Sequence, residues 1–287
     1  GSTHAFRITI PDRSIRAGMK DRLDKILLQR AVFDSREKAR AYIIGGNISV
    51  NGVIVRKPAQ AVSEDSDIRV VLRSGGYVSR GGRKLEGALE DFSIDPAGAR
   101  CLDIGASTGG FTDCLLKKGA RSVIALDVGK HQLAYSLRID PRVRSVEGFN
   151  ARRIDELGLD EPVDLVTIDV SFISITRILG ALGRIVGEEC DVIALIKPQF
   201  ELERPYPGFR GVVREPAVHR RVLGGLNAFF GAEGWTALRY TFSKLLGPKG
   251  NIEFFARLRR GIREGHKPAG ERDIETVVDD AHEYFGR

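Results

Sequence analysis

Cysteine is nearly absent, and so is every pattern that would give it a metal or a disulfide partner. Cys101, Cys114 and Cys190 stand in apolar surroundings, with no C-x-x-C spacing and no pair of histidines nearby. A zinc cluster and a disulfide framework are thereby excluded, no metal is expected, and a reducing compartment is implied. No apolar run approaches the ~18 residues of a membrane-crossing helix, and no secretory leader is legible. Both point to a cytoplasmic protein. Internal repeats and low-complexity tracts are lacking as well. The dinucleotide fingerprint G-x-G-x-x-G is also missing, and what stands in its place is the most informative stretch of the chain.

That stretch runs Cys101-Leu102-Asp103-Ile104-Gly105-Ala106-Ser107-Thr108-Gly109-Gly110-Phe111. A short apolar strand ends in an acid, a glycine turn follows, and a helix begins at the glycine pair. A second strand, Ser122 to Leu126, then ends in Asp127. Strand, glycine turn, helix, strand and acid together make a nucleoside-binding device. Ser107 occupies the place of the middle glycine, and Asp103 precedes Gly105 by two positions. An acid there repels a pyrophosphate but suits a cation, such as the amino group of a methionine moiety. S-adenosylmethionine is therefore favoured over NAD. Asp103 and Gly105 are expected at the methionine end, and Ser107, Thr108, Gly109, Gly110 and Phe111 in the turn and helix entry. Asp127 is expected on the ribose hydroxyls. Asn150, in Phe149-Asn150-Ala151-Arg152, is a candidate for adenine, with a plain loop cap as the alternative.

Lysine and arginine number 45 against 38 aspartates and glutamates, a formal net charge of +7. Such a balance points to a polyanionic partner, nucleic acid ahead of membrane. An apolar content of 42% with 29% charged residues is ordinary for a soluble globular chain. The 287 residues suffice for one large domain, or a medium one with a small companion.

The companion is legible near the start. Residues 3 to 19 hold little pattern beyond a short edge strand or disordered lead at Thr3 to Ile10, and Gly1-Ser2 reads as a cloning remnant. From Lys20 onward, Leu23, Ile26 and Leu27 recur at helical spacing. Asp34 or Ser35 can cap a second helix carrying Ala39, Tyr42, Ile43 and Ile44, which Gly45-Gly46 ends. A hairpin around Asn51-Gly52 follows, then a strand from Ile68 to Leu72. The words Arg22-Leu23-Asp24, Ser35-Arg36-x-x-Ala39, Gly46-x-Ile48-x-Val50-Asn51-Gly52 and Lys57-Pro58 resemble the S4 domain of ribosomal protein S4 and of several RNA-modifying enzymes. The resemblance implies RNA contacts from Arg22, Lys25, Arg30, Arg36, Lys38, Arg40, Asn51 and Lys57, joined from the next segment by Arg80 and Arg83. Contacts of this kind supply affinity and little sequence information.

After Tyr77 the chain alternates strand and helix. The pattern predicts helices to Lys118, over His131–Arg138, from Ile175 to Val186 and from Pro216 to Phe230. Strands are expected over Val143–Glu147, Val163–Asp169, Asp191–Lys197, Thr236–Phe242 and Ile252–Arg259. Alternation of this kind builds an α/β, doubly wound, mostly parallel sheet. The last two strands are joined by only Ser243 to Asn251 and should form an antiparallel hairpin. A Rossmann-like sheet ending in such a hairpin resembles the class I methyltransferases that use S-adenosylmethionine. Glu271 to Phe285 reads as an amphipathic helix.

Ligands of such sheets bind at the carboxyl ends of the strands. Lys197, ending the apolar run Val192 to Ile196, must lose its charge or find a partner. Asp169, at the tip of an expected neighbouring strand, is that partner; an ion pair that merely closes the sheet edge is the alternative. Lys84, Asp169, Lys197 and Glu253 match, in order and context, the Lys-Asp-Lys-Glu tetrad of FtsJ-like ribose 2′-O-methyltransferases. With the S4-like module in front, the chain is similar to the TlyA, or hemolysin-like, family of ribosomal RNA 2′-O-methylcytidine transferases. It departs from the pattern at Pro205-Tyr206-Pro207. The expected organisation is a lead over 1–19, an S4-like domain over 20–72, a linker over 73–78, a methyltransferase domain over 79–262 and a terminal linker and helix over 263–287.

The resemblance implies that Lys197 accepts the proton of a ribose 2′-hydroxyl, with Lys84 as a nearby cation, Asp169 orienting the amine, and Glu253 positioning Lys84 and the ribose. No metal is required, because a sulfonium leaving group is already activated. Ribosomal RNA or a ribosomal subunit is the implied partner. Two other classes stand beside this reading: a membrane-active hemolysin, and an S4-type RNA-binding protein without turnover.

Overall fold

The short apolar periodicities at the start of the chain become short elements. The computed structural model describes residues 8–9, 19–30, 32–33, 35–70, 76–202, 209–261 and 267–287. Two compact units emerge: Gly1–Val78 with Ala134–Asp140, and Ser79–Leu133 with Pro141–Arg287.

The first unit contains β1 (Ile8–Thr9), β2 (Lys20–Arg22), α1 (Leu23–Gln29), α2 (Arg36–Ile44), β3 (Ile48–Val50), β4 (Val53–Ile54), β5 (Ala61–Ser63) and β6 (Ile68–Val70). Its antiparallel sheet has the order β1-β6-β3-β4, and β2 pairs separately with β5. Ser35 caps α2 by accepting a hydrogen bond from Lys38 N at 3.2 Å. Asn51 and Gly52 adopt φ of +50° and +83°, the left-handed pair that a tight hairpin turn demands. Leu23, Ile26, Leu27, Ala39, Ile43, Ile48 and Ile68 form the core. The edge strand expected within Thr3 to Ile10 is present at Ile8–Thr9, antiparallel to β6. Asp34 and residues 73–75 of the expected linker lie outside the described residues.

One acid organises the helices of this unit. Asp24 is fully buried. Arg22 donates to it from Nε and Nη2, and Arg36 from Nε, each at 3.0 Å. The Arg22 hydrogen bond, ahead of that from Arg36, holds the Asp24 carboxyl down at about 2.

The second unit is built on alternation. It comprises α3 (Gly81–Phe92), β7 (Arg100–Ile104), α4 (Gly110–Lys117) and β8 (Ser122–Asp127). The single turn α5 (Tyr135–Arg138) falls in the segment grouped with the first unit. There follow β9 (Val143–Glu147), β10 (Leu165–Ile168), α6 (Thr176–Leu182), β11 (Asp191–Ile196), α7 (Pro198–Glu201), α8 (Pro216–Ala232), β12 (Trp235–Phe242), β13 (Phe254–Arg260) and α9 (Glu271–Tyr284). The seven strands run in the order β12-β13-β11-β10-β7-β8-β9. From β9 to β11 all pairings are parallel, and β13 is antiparallel to both β11 and β12. The expected hairpin exists, with its second strand inserted between β11 and β12. Strand order reverses at β7, with β8 and β9 on one side and β10 and β11 on the other. A crevice therefore opens between the loops that follow β7 and β10.

The helix expected over His131–Arg138 shrinks to one turn. Asp127 Oδ1 accepts from Gly129 N at 2.7 Å, and Glu147 Oε2 from His131 N at 2.9 Å. Side chains thus capture the backbone donors that would begin a helix, and His131 sits at φ +57°.

A stability prediction follows from Asp24. Its folded pKa lies below the ordinary carboxylate value, so its contribution is present above about pH 4 and lost as pH falls toward about 2. Asp24→Ala should weaken the α1–α2 packing by about 1–2 kcal/mol, read as faster hydrogen exchange of α1 and α2 amides in the full chain. Unchanged protection would refute the role.

Candidate active site

Four charged side chains meet in the second unit, three at strand ends and one on a helix. Lys84 lies in the first turn of α3 and Glu253 immediately before β13; their Nζ and Oε2 are 2.5 Å apart. Asp169 follows β10 and Lys197 follows β11; their Nζ and Oδ1 are 2.6 Å apart. The parallel register sets Ile168 beside Ala194, which brings the two strand ends together. Lys197 Nζ also donates to Ser171 Oγ at 2.8 Å. Glu253 is wholly buried, and burial pushes its carboxyl up while the Lys84 ammonium pulls it back. Lys197 and Asp169 act on the same charge, so the two pairs form one electrostatic cluster.

Beside the cluster is a cleft of about 390 Å³. Lys84 and Asp169 line it together with Gly105, Ser107, Thr108 and Phe111. Gly105 has φ +85°, and a Cβ there would strike the Asp169 carbonyl oxygen. Only glycine lets the turn after β7 lie against the tip of β10. The turn is fixed from behind: Gly105 N and Ala106 N donate to Leu126 O at 2.8 and 3.0 Å, and Ser107 N to Asp127 Oδ2 at 2.7 Å. Gly110 is packed so closely that a Cβ would meet Ser79 Oγ. The geometry offers a backbone cradle for a small ligand next to two lysines and two carboxylates.

The comparisons with known proteins agree with this geometry. The family described as FtsJ-like methyltransferase matches residues 77–260, and the S4 domain family matches residues 21–68. The chain belongs to the FtsJ-like methyltransferases, in the TlyA group. It is 44% identical over 239 residues to the 16S/23S rRNA (cytidine-2′-O)-methyltransferase TlyA of Mycobacterium tuberculosis, covering 83% of this chain and 89% of that protein. Hemolysin A of Brachyspira hyodysenteriae is 43% identical over 236 residues, 82% of this chain and 98% of its own. A solved structure of a hemolysin candidate from Streptococcus thermophilus is 38% identical, with a TM-score of 0.68, covering 93% of this chain and 97% of that one.

Within this FtsJ-like frame the expected cofactor residues divide. Gly105, Ser107, Thr108, Gly110 and Phe111 line the cleft, and Gly109 starts α4 from the left-handed region at φ +93°. Asp103, expected at the methionine end, is wholly buried and does not line the cleft. Its oxygens accept from Thr112 Oγ1 at 2.7 Å and Thr167 Oγ1 at 2.9 Å. It ties α4 and β10 to the turn from beneath. Burial pushes its carboxyl up to about 6, against the pull of both threonines. Asp127 sits at the end of β8, but both its oxygens already accept backbone N–H groups, from Ser107 and Gly129. Asn150 is the loop cap: its Oδ1 accepts from Arg152 N at 3.1 Å.

The basic residues expected on RNA divide as well. Arg22 and Arg36 are committed to Asp24. Arg30 donates to the Glu64 carbonyl, and Asn51 accepts from Asp67 N. These four hold the first unit together. Lys25 pairs with Asp21 at 3.5 Å on the helix surface. Lys38, Arg40 and Lys57 lie on the exposed surface of the first unit. In the second unit, Arg83 is exposed on α3, and Arg80 Nη2 donates to Leu246 O at 2.7 Å on the cleft rim. The Pro205-Tyr206-Pro207 departure lies outside the described residues.

Several site residues escaped the sequence reading. Ser79, Gly81, Ala106, Leu246, Gly247 and Pro248 complete the cleft lining, and Ser171 holds Lys197. Phe172 is 90% exposed at φ +63°, with its ring centroid 5.0 Å from that of Phe200. The available signal in the sequence was the run Asp169-Val170-Ser171-Phe172, an aromatic directly after a strand-end acid; its left-handed backbone is visible only in the structure.

The buried acid yields a test. Asp103 has a folded pKa above its unfolded value, so its contribution is full below about pH 4 and is lost as pH rises through about 6. The stability difference between wild type and Asp103→Asn should therefore change between about pH 4 and about pH 6 and level off above it. Asp103→Ala, which strands two threonine hydroxyls, should cost about 1–3 kcal/mol. Urea unfolding across this pH range checks both, and a pH-independent difference would contradict the assignment.

Proposed function

We propose that this chain is an S-adenosylmethionine-dependent ribose 2′-O-methyltransferase acting on ribosomal RNA, with cytidine as its target. The observation that carries the reading is the convergence of Lys84, Glu253, Lys197 and Asp169 beside the Gly105 turn. The substrate follows the name of the mycobacterial relative and the presence of an S4 domain. A cytoplasmic location follows from that substrate. Among the described residues no helix is long and apolar enough to cross a membrane.

The cleft fits the cofactor in one respect that can be checked on the chain itself: with no side chain at position 105, which would strike the Asp169 carbonyl oxygen, bare backbone lines the cleft beside Asp169. S-adenosylmethionine, when bound, supplies an activated methyl group on a sulfonium. Gly105, Ser107, Thr108, Gly110 and Phe111 would hold it, with Asp127 at the end of β8 toward its ribose. Asp103 supports this turn without touching the ligand.

Lys197 is the proton acceptor in this reading. Asp169 and Ser171 aim its Nζ, so that its lone pair faces the ribose hydroxyl once the amine is neutral. Glu253 holds Lys84 on the cleft wall. Alignment of hydroxyl and methyl then supplies much of the rate through proximity. Phe172 and Phe200 present an aromatic surface on which a base can stack. Lys25, Lys38, Arg40 and Lys57 on the first unit, with Arg83, are the phosphate contacts.

Tritium transfer from S-adenosylmethionine to ribosomal subunits, followed by recovery of label in alkali-resistant dinucleotides, tests the activity. Lys197→Ala and Lys84→Ala should each lower kcat by about 10²–10⁴-fold with cofactor binding retained. Undiminished activity in the protein carrying both substitutions would overturn the mechanism.

A further inference from the structure

The C-terminal helix lies beyond the family match, which ends at residue 260. Ile274, Val277, Val278 and Ala281 of α9 are buried, and the helix packs on α8 and β12. Burial of that face accounts for the helix being there. It does not account for what its last turn does.

That turn grips both ends of a segment that walls the cleft. Tyr284 and Phe285 form an aromatic triangle with Phe242, with centroids 4.9, 5.5 and 6.2 Å apart. Lys244 Nζ lies 3.6 Å from the Phe242 centroid and 5.5 Å from that of Tyr284. Arg287 Nη1 donates to Gly250 O at 2.7 Å. Between Lys244 and Gly250 stand Leu246, Gly247 and Pro248, all lining the cleft. Gly247 presses so closely on Glu253 that a Cβ would overlap its carboxylate. Gly247 N donates to Asn251 O at 2.8 Å, and Ser243 N to Glu253 O at 2.9 Å. From the other side, Arg80 holds the Leu246 carbonyl.

We propose that Arg287 and Lys244 are positioning residues for the methyl transfer. They pin the 244–250 segment to α9, and the pinned segment fixes the Glu253 carboxylate and, through it, Lys84 Nζ. A carboxylate buried behind a backbone wall has nowhere to relax while the wall stays in place. If the wall shifts, the Lys84–Glu253 pair shifts with it. The Gly105 turn, held by Leu126 and Asp127, is untouched by either residue. This inference rests on the methyltransferase reading.

The experiment compares wild type with Lys244→Ala/Arg287→Ala and with the conservative pair Lys244→Arg/Arg287→Lys. The latter keeps a cation over the ring and a donor to the carbonyl. The double alanine variant should lose about tenfold in kcat with its dissociation constant for S-adenosylmethionine within about twofold of wild type, and amides 244–250 should exchange faster. The conservative pair should recover most of the rate. An unchanged kcat in the alanine variant would overturn the proposal. So would a rate loss that comes with an equal loss of cofactor affinity, or one the conservative pair does not repair. If wild type transfers no methyl to ribosomal RNA, the functional reading fails; amide exchange still decides whether α9 braces the segment.

Discussion

Two lysines are held at the edge of a hydrophobic sheet, each against a carboxylate, and the site depends on that pairing. A buried cation without a partner would cost several kcal/mol. Lys197 follows a strand whose last five residues, 192–196, are all core, and it is tolerable there only because β10 runs parallel to β11 and is followed by Asp169. Glu253 is fully enclosed and is tolerable because α3 delivers Lys84 to it. Strand order, helix placement and hairpin insertion are thus tied to one requirement: four charges must arrive together. The same requirement produces a chemically useful cluster, since groups that must share protons and contacts are those whose protonation a substrate can disturb.

The acids at the strand ends have separate tasks, assigned by burial. Asp103 faces inward, where enclosure raises its carboxyl and the Thr112 and Thr167 hydroxyls work against that rise. Asp127 accepts from Ser107 N of the turn and from Gly129 N of its own loop. Asp169 and Glu253 hold the lysines. Two acids build the cradle and two arm it. The glycine turn lies against the Asp169 carbonyl, so cradle and cluster share an atom-to-atom contact and cannot drift apart.

Much of this was legible in the residues. Apolar runs ending in Asp103, Asp127, Asp169 and Lys197 announced a parallel sheet with a polar rim, and the short connection before Glu253 announced the hairpin. Side-chain direction was not legible. Spacing places Asp103 at a strand end but cannot say that Thr112 and Thr167 turn it inward. It counts Arg22 and Arg36 as basic without seeing that Asp24 claims both. It reads 131–138 as helical because it cannot anticipate Asp127 and Glu147 capturing the first backbone donors. Contacts that spacing does not reveal decide each case, some local, as Asp127 with Gly129, and some distant, as Asp103 with Thr167.

If the two ion pairs act as one unit, their disruption must be strongly non-additive. The most direct measurement is a double-mutant cycle on kcat, with Lys84→Ala and Asp169→Asn made singly and together. Each single variant is expected to cost nearly as much as the pair, because breaking either half disorganises the shared cluster. Free-energy losses that simply add would contradict the account, showing two independent ion pairs and no common site.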